Sequence, residues 1–207
     1  MTAIFLFCTA NVPASTVNRF MTEFSETSEG PNFFSLVRHP DQSSFDEWGT
    51  ELPVGDFTTG FREATDAQLR LYANNKIAAL RQTGAEGGLE PEWIAKLDER
   101  SQYDSTVVLQ YCMPKSTWIQ SLEDAELEFH VPGQADIAEA SDEIWWTWRV
   151  GFADAFWLFN GVDDGDVDMI LLYTRPEFLD PDGVLHVDVP RGIIQGDIPD
   201  AITESRS

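Results

Sequence analysis

Glu128, Phe129, His130, Val131 and Pro132 set an imidazole beside a carboxylate. A histidine so placed can serve as a general base near neutral pH. Farther on, Asp163, Asp164, Asp166 and Asp168 crowd together in the segment Gly-Val-Asp-Asp-Gly-Asp-Val-Asp. Hard cations such as Ca²⁺ want several carboxylate oxygens on one tight loop, and Asp164, Asp166 and Asp168 match the first three alternating ligands of an EF-hand loop. The match stops there: Met169 stands where the loop needs glycine, and Arg175 where it needs the bidentate glutamate. The cluster is therefore read as a solvated acidic turn, with no metal site expected. His39, His130 and His186 are too far apart in sequence for a local metal signature. Cys8 and Cys112 end two apolar runs, where a thiol is more often an inert core group than a nucleophile. No nucleophile-elbow, phosphate-loop or dinucleotide-binding glycine pattern occurs.

Glu128, His130 and Pro132 form an E-x-H-x-P element that resembles the one found in the dimeric α/β-barrel family of ferredoxin-like proteins, which includes small cyclases and monooxygenases. The resemblance covers five residues, and the first half of the chain has no matching histidine element. It implies a small cofactor-free enzyme on a duplicated ferredoxin-like scaffold, with an apolar pocket and His130 as base.

Charge is the strongest departure from an ordinary chain: 36 acidic against 13 basic residues among 207, a net −23. Up to Arg100 there are 15 acidic and 8 basic side chains, and from Ser101 onward 21 and 5, so the field is concentrated in the second half. Such a field repels nucleic-acid phosphates and anionic membranes and favours a basic protein partner. Solubility or adaptation to a salty interior is the plainer reading of the same acidity. Apolar residues make up 43% of the chain, enough for a real core. The apolar opening is too short for a signal peptide, and no apolar run reaches the roughly 20 residues of a membrane span. Two cysteines cannot build a disulfide framework, which points to a reducing cytoplasm.

The elements that must position these groups are read from periodicity. Strands are expected at 3–9, 32–37, 106–112 and 143–150, with Ile144, Trp146, Trp148 and Val150 alternating against Trp145, Thr147 and Arg149. A helix using Val17, Phe20, Met21 and Phe24 follows a cap at Ser15 or Thr16. A second helix follows the Thr65/Gln68 capping box, buries Leu69, Tyr72, Ala73, Ile77 and Leu80 and stops at Gly84. A short helix is expected at 91–100 with Pro91 in its first turn, and another after Ser116 carrying Trp118, Ile119 and Leu122. Residues 155–159 and 168–174 are expected as strands joined by a hairpin loop at 161–166, with a last strand at 184–189. Phe7, Cys8, Pro13, Ser15 and Thr16 parallel Tyr111, Cys112, Pro114, Ser116 and Thr117, a candidate internal duplication. Most aromatics between Trp145 and Phe159 are assigned to the core, with Trp145 exposed if one sheet face is open.

The expectation is one α+β domain over 1–207, with lobes at 1–100 and 101–200 as a finer division and a frayed tail at 201–207. Its sheet is mixed or antiparallel with helices packed on one face, and two ferredoxin-like halves are the variant to test. The functional expectation is a binder rather than an enzyme: an acidic cytoplasmic protein occupying a basic, nucleic-acid-handling surface of a partner. Nucleic-acid mimics, anti-defence inhibitors and immunity proteins work this way. Contacts are assigned to Glu123, Asp124, Glu126, Glu128, Asp163, Asp164, Asp166 and Asp168, with no catalytic residue, cofactor, direct nucleic-acid contact or membrane contact. The enzyme reading on His130 is the alternative.

Overall fold

A computed structural model describes residues 3–83, 88–132, 135–137, 141–163 and 166–200. Gly84, the expected helix stop, lies outside them.

The fold is α+β around one open six-stranded mixed sheet, with no closed barrel among the described residues. Strand β1 (Ala3–Cys8) is buried along its whole length and pairs in parallel with β2 (Phe34–Val37) on one side and β3 (Leu89–Leu97) on the other. Antiparallel strands β4 (Thr106–Pro114), β6 (Glu143–Gly151) and the two-residue β5 (Ala135–Asp136) complete the order β2-β1-β3-β4-β6-β5.

Helix α1 (Ala14–Ser28) joins β1 to β2, and α2 (Asp66–Thr83) carries the chain back past β1 to β3. Parallel crossovers are right-handed, so two connections running in opposite directions along the sheet fall on opposite faces. The packing follows. Val17, Phe20, Met21 and Phe24 of α1 join Ile4, Leu6, Trp93, Leu109 and Trp146 in the larger apolar cluster, which draws on residues from Ile4 to Val187. Leu69, Ala73 and Ile77 of α2 meet Phe5, Phe7, Ile94 and Trp145 on the opposite face. The Thr65/Gln68 box forms as expected: the Thr65 amide donates to Gln68 Oε1 at 2.9 Å, and the Gln68 amide to Thr65 Oγ1 at 3.3 Å.

Helices α3 (Ser101–Asp104) and α4 (Lys115–Asp124) flank β4, and α5 (Ala155–Val162), α6 (Val167–Tyr173) and α7 (Asp188–Gln195) follow β6. Buried residues of α4, α5 and α6 all join the cluster on the α1 face, so the helical layer there is the larger of two. Neither α1 nor α4 uses its expected serine or threonine cap. Pro13 and Pro114 hold the N-cap positions at φ/ψ of −58°/143° and −59°/139°, with no side-chain cap bond. The likeness between the two strand-proline-helix segments stops at their neighbours, because β1 has parallel partners on both sides and β4 antiparallel ones.

Further expectations are corrected. Residues 91–100 are mostly strand, since Trp93, Ala95 and Leu97 alternate against Ile94 across the sheet and fill both cores. Pro91 is tolerated because it lies where the pairing register shifts, between Ala3↔Leu89 and Phe5↔Ile94. The segments at 155–159 and 168–174 are helical. Ala155, Leu158 and Val162 recur at helical spacing against the core, as do Val167, Ile170 and Tyr173, and short apolar runs fit either period. Residues 184–189 give only single bridges at Val184 and Leu185 before α7 begins. Ile119, expected inside, is 40% exposed.

Candidate acidic docking face

The chain runs from α4 into a turn whose backbone is fixed at several points. The Glu126 amide donates to Glu123 O at 3.0 Å and the Leu127 amide to Leu122 O at 2.8 Å, with Glu126 at φ 57°. Trp118, fully buried, reaches across with its indole N–H to His130 O at 2.9 Å and ties the segment leaving the turn to the core. Glu123, Asp124, Glu126 and Glu128 are thereby displayed in water on an anchored backbone.

Asp166 and Asp168 open α6, which packs against α4. Asp166 is its N-cap, accepting from the Asp168 amide at 2.8 Å, and both carboxylates suit the positive end of the helix dipole. Asp168, Leu127 and His130 line one open cleft of about 630 Å³, so the 123–128 turn and the start of α6 meet at a common feature. Asp163 is drawn elsewhere. It accepts from the indole N–H of buried Trp93 at 2.9 Å and faces Glu90 and Glu92 at the start of β3. Asp164 lies outside the described residues.

Three of the described basic groups of the second half are held against the fold. Arg175 donates to both oxygens of Asp200, at 2.7 and 3.0 Å. Arg149 pairs with Asp98, and Arg191 stacks over Trp157 at 4.1 Å while approaching Asp188.

Burial and the charges of Glu90 and Asp163 push the Glu92 carboxyl above its usual range. Its ionisation therefore opposes folding, and the penalty builds as pH rises from the ordinary carboxylate value of about 4.3 through the higher folded value. Glu92→Gln is expected to be more stable than the parent at pH 7, with the gain vanishing below about pH 4 in urea titrations. Asp98 has the opposite sign. Burial alone would raise it, but the hydrogen bonds and charge of Arg149 hold it below the normal range, so its contribution is present above about pH 3.9 and lost as pH falls through the folded value.

His130 is exposed, with Nδ1 2.9 Å from Glu128 O. His39 and His186 lie apart from it. His39 lines a separate loop cavity beside Arg38, and the His186 amide bonds Phe178 O. Among the described residues no three His, Cys, Asp or Glu side chains are grouped to hold a metal ion. Cys8 and Cys112 are buried on opposite faces of the sheet, and burial pushes both thiols up to about 12. The carboxyl ends of β1 and β3, where sheets of this winding commonly take ligands, are covered by the chain itself. There Thr59 Oγ1 donates to Cys8 O at 2.6 Å and the Glu63 amide to Thr9 O at 2.8 Å.

Two groups had no sequence signal. Arg70 is only 8% exposed: it donates to Gln110 Oε1 at 2.7 Å and Asp136 Oδ2 at 2.6 Å and lies over Trp145 at 5.0 Å. It closes the face on which Trp145 could have been open, so that tryptophan is core, as are Trp146, Trp148 and Phe152. Trp48, in the loop after β2, is 80% exposed. Among the described residues no helix is long and apolar enough to cross a membrane. Protein-family models, curated proteins and solved structures hold no match to this chain.

Proposed function

We propose that this chain is an acidic cytoplasmic binding protein that occupies a basic surface of a partner protein, in the manner of a nucleic-acid mimic, an anti-defence inhibitor or an immunity protein. One observation carries the reading: exposed carboxylates from distant parts of the sequence, on the 123–128 turn and at the start of α6, adjoin residues that line one cleft, and Arg149, Arg191 and Arg175, the last in the wall of that cleft, are each met by a carboxylate of the fold. The surface keeps its negative field, and anchored carboxylates lose little entropy on meeting lysines and arginines.

The test is retention of host proteins on the immobilised chain. Basic proteins are expected to be held at about 0.05 M salt and released by about 0.5 M, where screening shortens the Debye length several-fold. Retention indifferent to salt would defeat the proposal.

A second reading has one observation in its favour: His130 and Asp168 border the same cleft as apolar Leu127 and Leu171, the surroundings a small cofactor-free enzyme would use. Loss of turnover of a found substrate in His130→Ala, with the fold intact, would support it.

A further inference from the structure

The cleft beside His130 is lined mostly by apolar side chains, with Asp168 among them. Leu127, Met169, Leu171, Leu172 and Ile193 line it together with Ile194, which is 46% exposed, and Phe129 next to His130 is 64% exposed. Apolar surface left in water forgoes about 25 cal/mol per Å² of burial, so the cleft has something to gain from an apolar partner surface. The carboxylates here are exposed: Asp168 lines the cleft itself, Glu126 and Glu128 stand on either side of lining Leu127 in the sequence, Asp166 caps α6, and Asp197 comes just past α7. The guanidinium in its wall, Arg175, is matched by Asp200.

We infer that this cleft is the docking groove for an amphipathic helix of the partner, with aliphatic side chains on one face and lysines or arginines along both flanks. The inference rests on the binding reading and specifies its contact. The groove is bordered by α6, α7 and the turn after α4, which offer no strand edge for an extended peptide to extend. A helix arrives with its own backbone bonds made, buries its apolar face, and sets its cations opposite Asp168 and the neighbouring exposed carboxylates. Complementary charge on both flanks fixes its register as well as its approach.

The probe is a fluorescent peptide of leucine and lysine whose leucines recur at helical spacing, measured by anisotropy against the full chain. Its control is an isomer of the same composition with the leucines redistributed so that no apolar face forms. The helical peptide is expected to bind at least about 10-fold more tightly than the isomer, the scale of losing one anchoring side chain. The preference is expected to disappear in Ile194→Lys and in Met169→Lys and to survive in Ile194→Val. Ile194 is nearly half exposed and is not among the buried core residues, so its substitution leaves the core in place. Equal, salt-sensitive binding of both peptides overturns the groove while leaving the acidic binder standing. A preference kept by both lysine variants also overturns it, and binding of neither peptide overturns the groove and the binder together.

Discussion

Trp93→Ala is expected to lower the stability of the folded chain by about 3–5 kcal/mol, read from urea unfolding at an unchanged slope. Trp93 has no exposed surface and sits on the strand that joins the parallel and antiparallel parts of the sheet. Its ring lies 4.9 Å from Tyr111, 5.2 Å from Phe159 and 6.3 Å from Trp148. Few neighbours can collapse into the space, because rigid rings and two paired strands surround it. Trp93→Phe separates volume from hydrogen bonding: it keeps much of the packing and removes the donor to Asp163, for an expected loss of about 1–2 kcal/mol. If both variants lost the same amount, packing would not be the main contribution of Trp93.

The second large effect is on association. Reversing Glu123, Asp124, Glu126 and Glu128 together to lysine is expected to slow association with a basic partner about 10- to 1000-fold at low salt, with a smaller change in dissociation. Folding should be unharmed, since these side chains are exposed and each reversal moves a net charge of −23 toward neutrality. An unaltered association rate in stopped flow would remove these carboxylates from the encounter. Asp163 and Asp166 are unsuited to the same experiment. Asp163 is the acceptor of Trp93, and Asp166 caps α6, a role worth about 1 kcal/mol, so their reversal would mix stability with recognition.

Much of the fold was legible where burial is uniform or strictly periodic. The run at Ala3 to Cys8, the alternation through Ile144 to Val150 and the box at Thr65 and Gln68 each follow from short-range rules, and each forms. Residues 155–174 were misread because their apolar runs are short enough to fit either period. What decides them is that β6 already has β4 and β5 beside it, leaving helical packing onto the face as the way to bury Leu158 and Ile170. Pro91 misled by its helix-starting habit, which a register shift in the sheet overrode.

At the site, the exposure of Glu123 to Glu128 was readable from composition and turn chemistry. The division of the aspartates among a helix cap, a tryptophan acceptor and a cleft wall was not, because it depends on α5 and α6 being helices. Arg70 was illegible for a related reason: only the meeting of α2 with Gln110, Asp136 and Trp145 turns an outwardly ordinary arginine into the cover of a sheet face.

The place of β1 in the sheet bears on how the protein is made. It leaves the ribosome before its partners, as six consecutive residues with no charge, the kind of segment that seeks other chains when left alone. Its β2 partner follows soon after, but the β3 edge is not synthesised until α2 is complete. Pairing so distant in sequence is slow to nucleate, whereas the β3–β4 pair closes locally. Nascent chains paused before β3 should therefore be held by chaperones or lost to aggregation, and the sparing of the finished protein from that fate begins when Trp93 and its neighbours take up their positions beside Phe5 and Leu6.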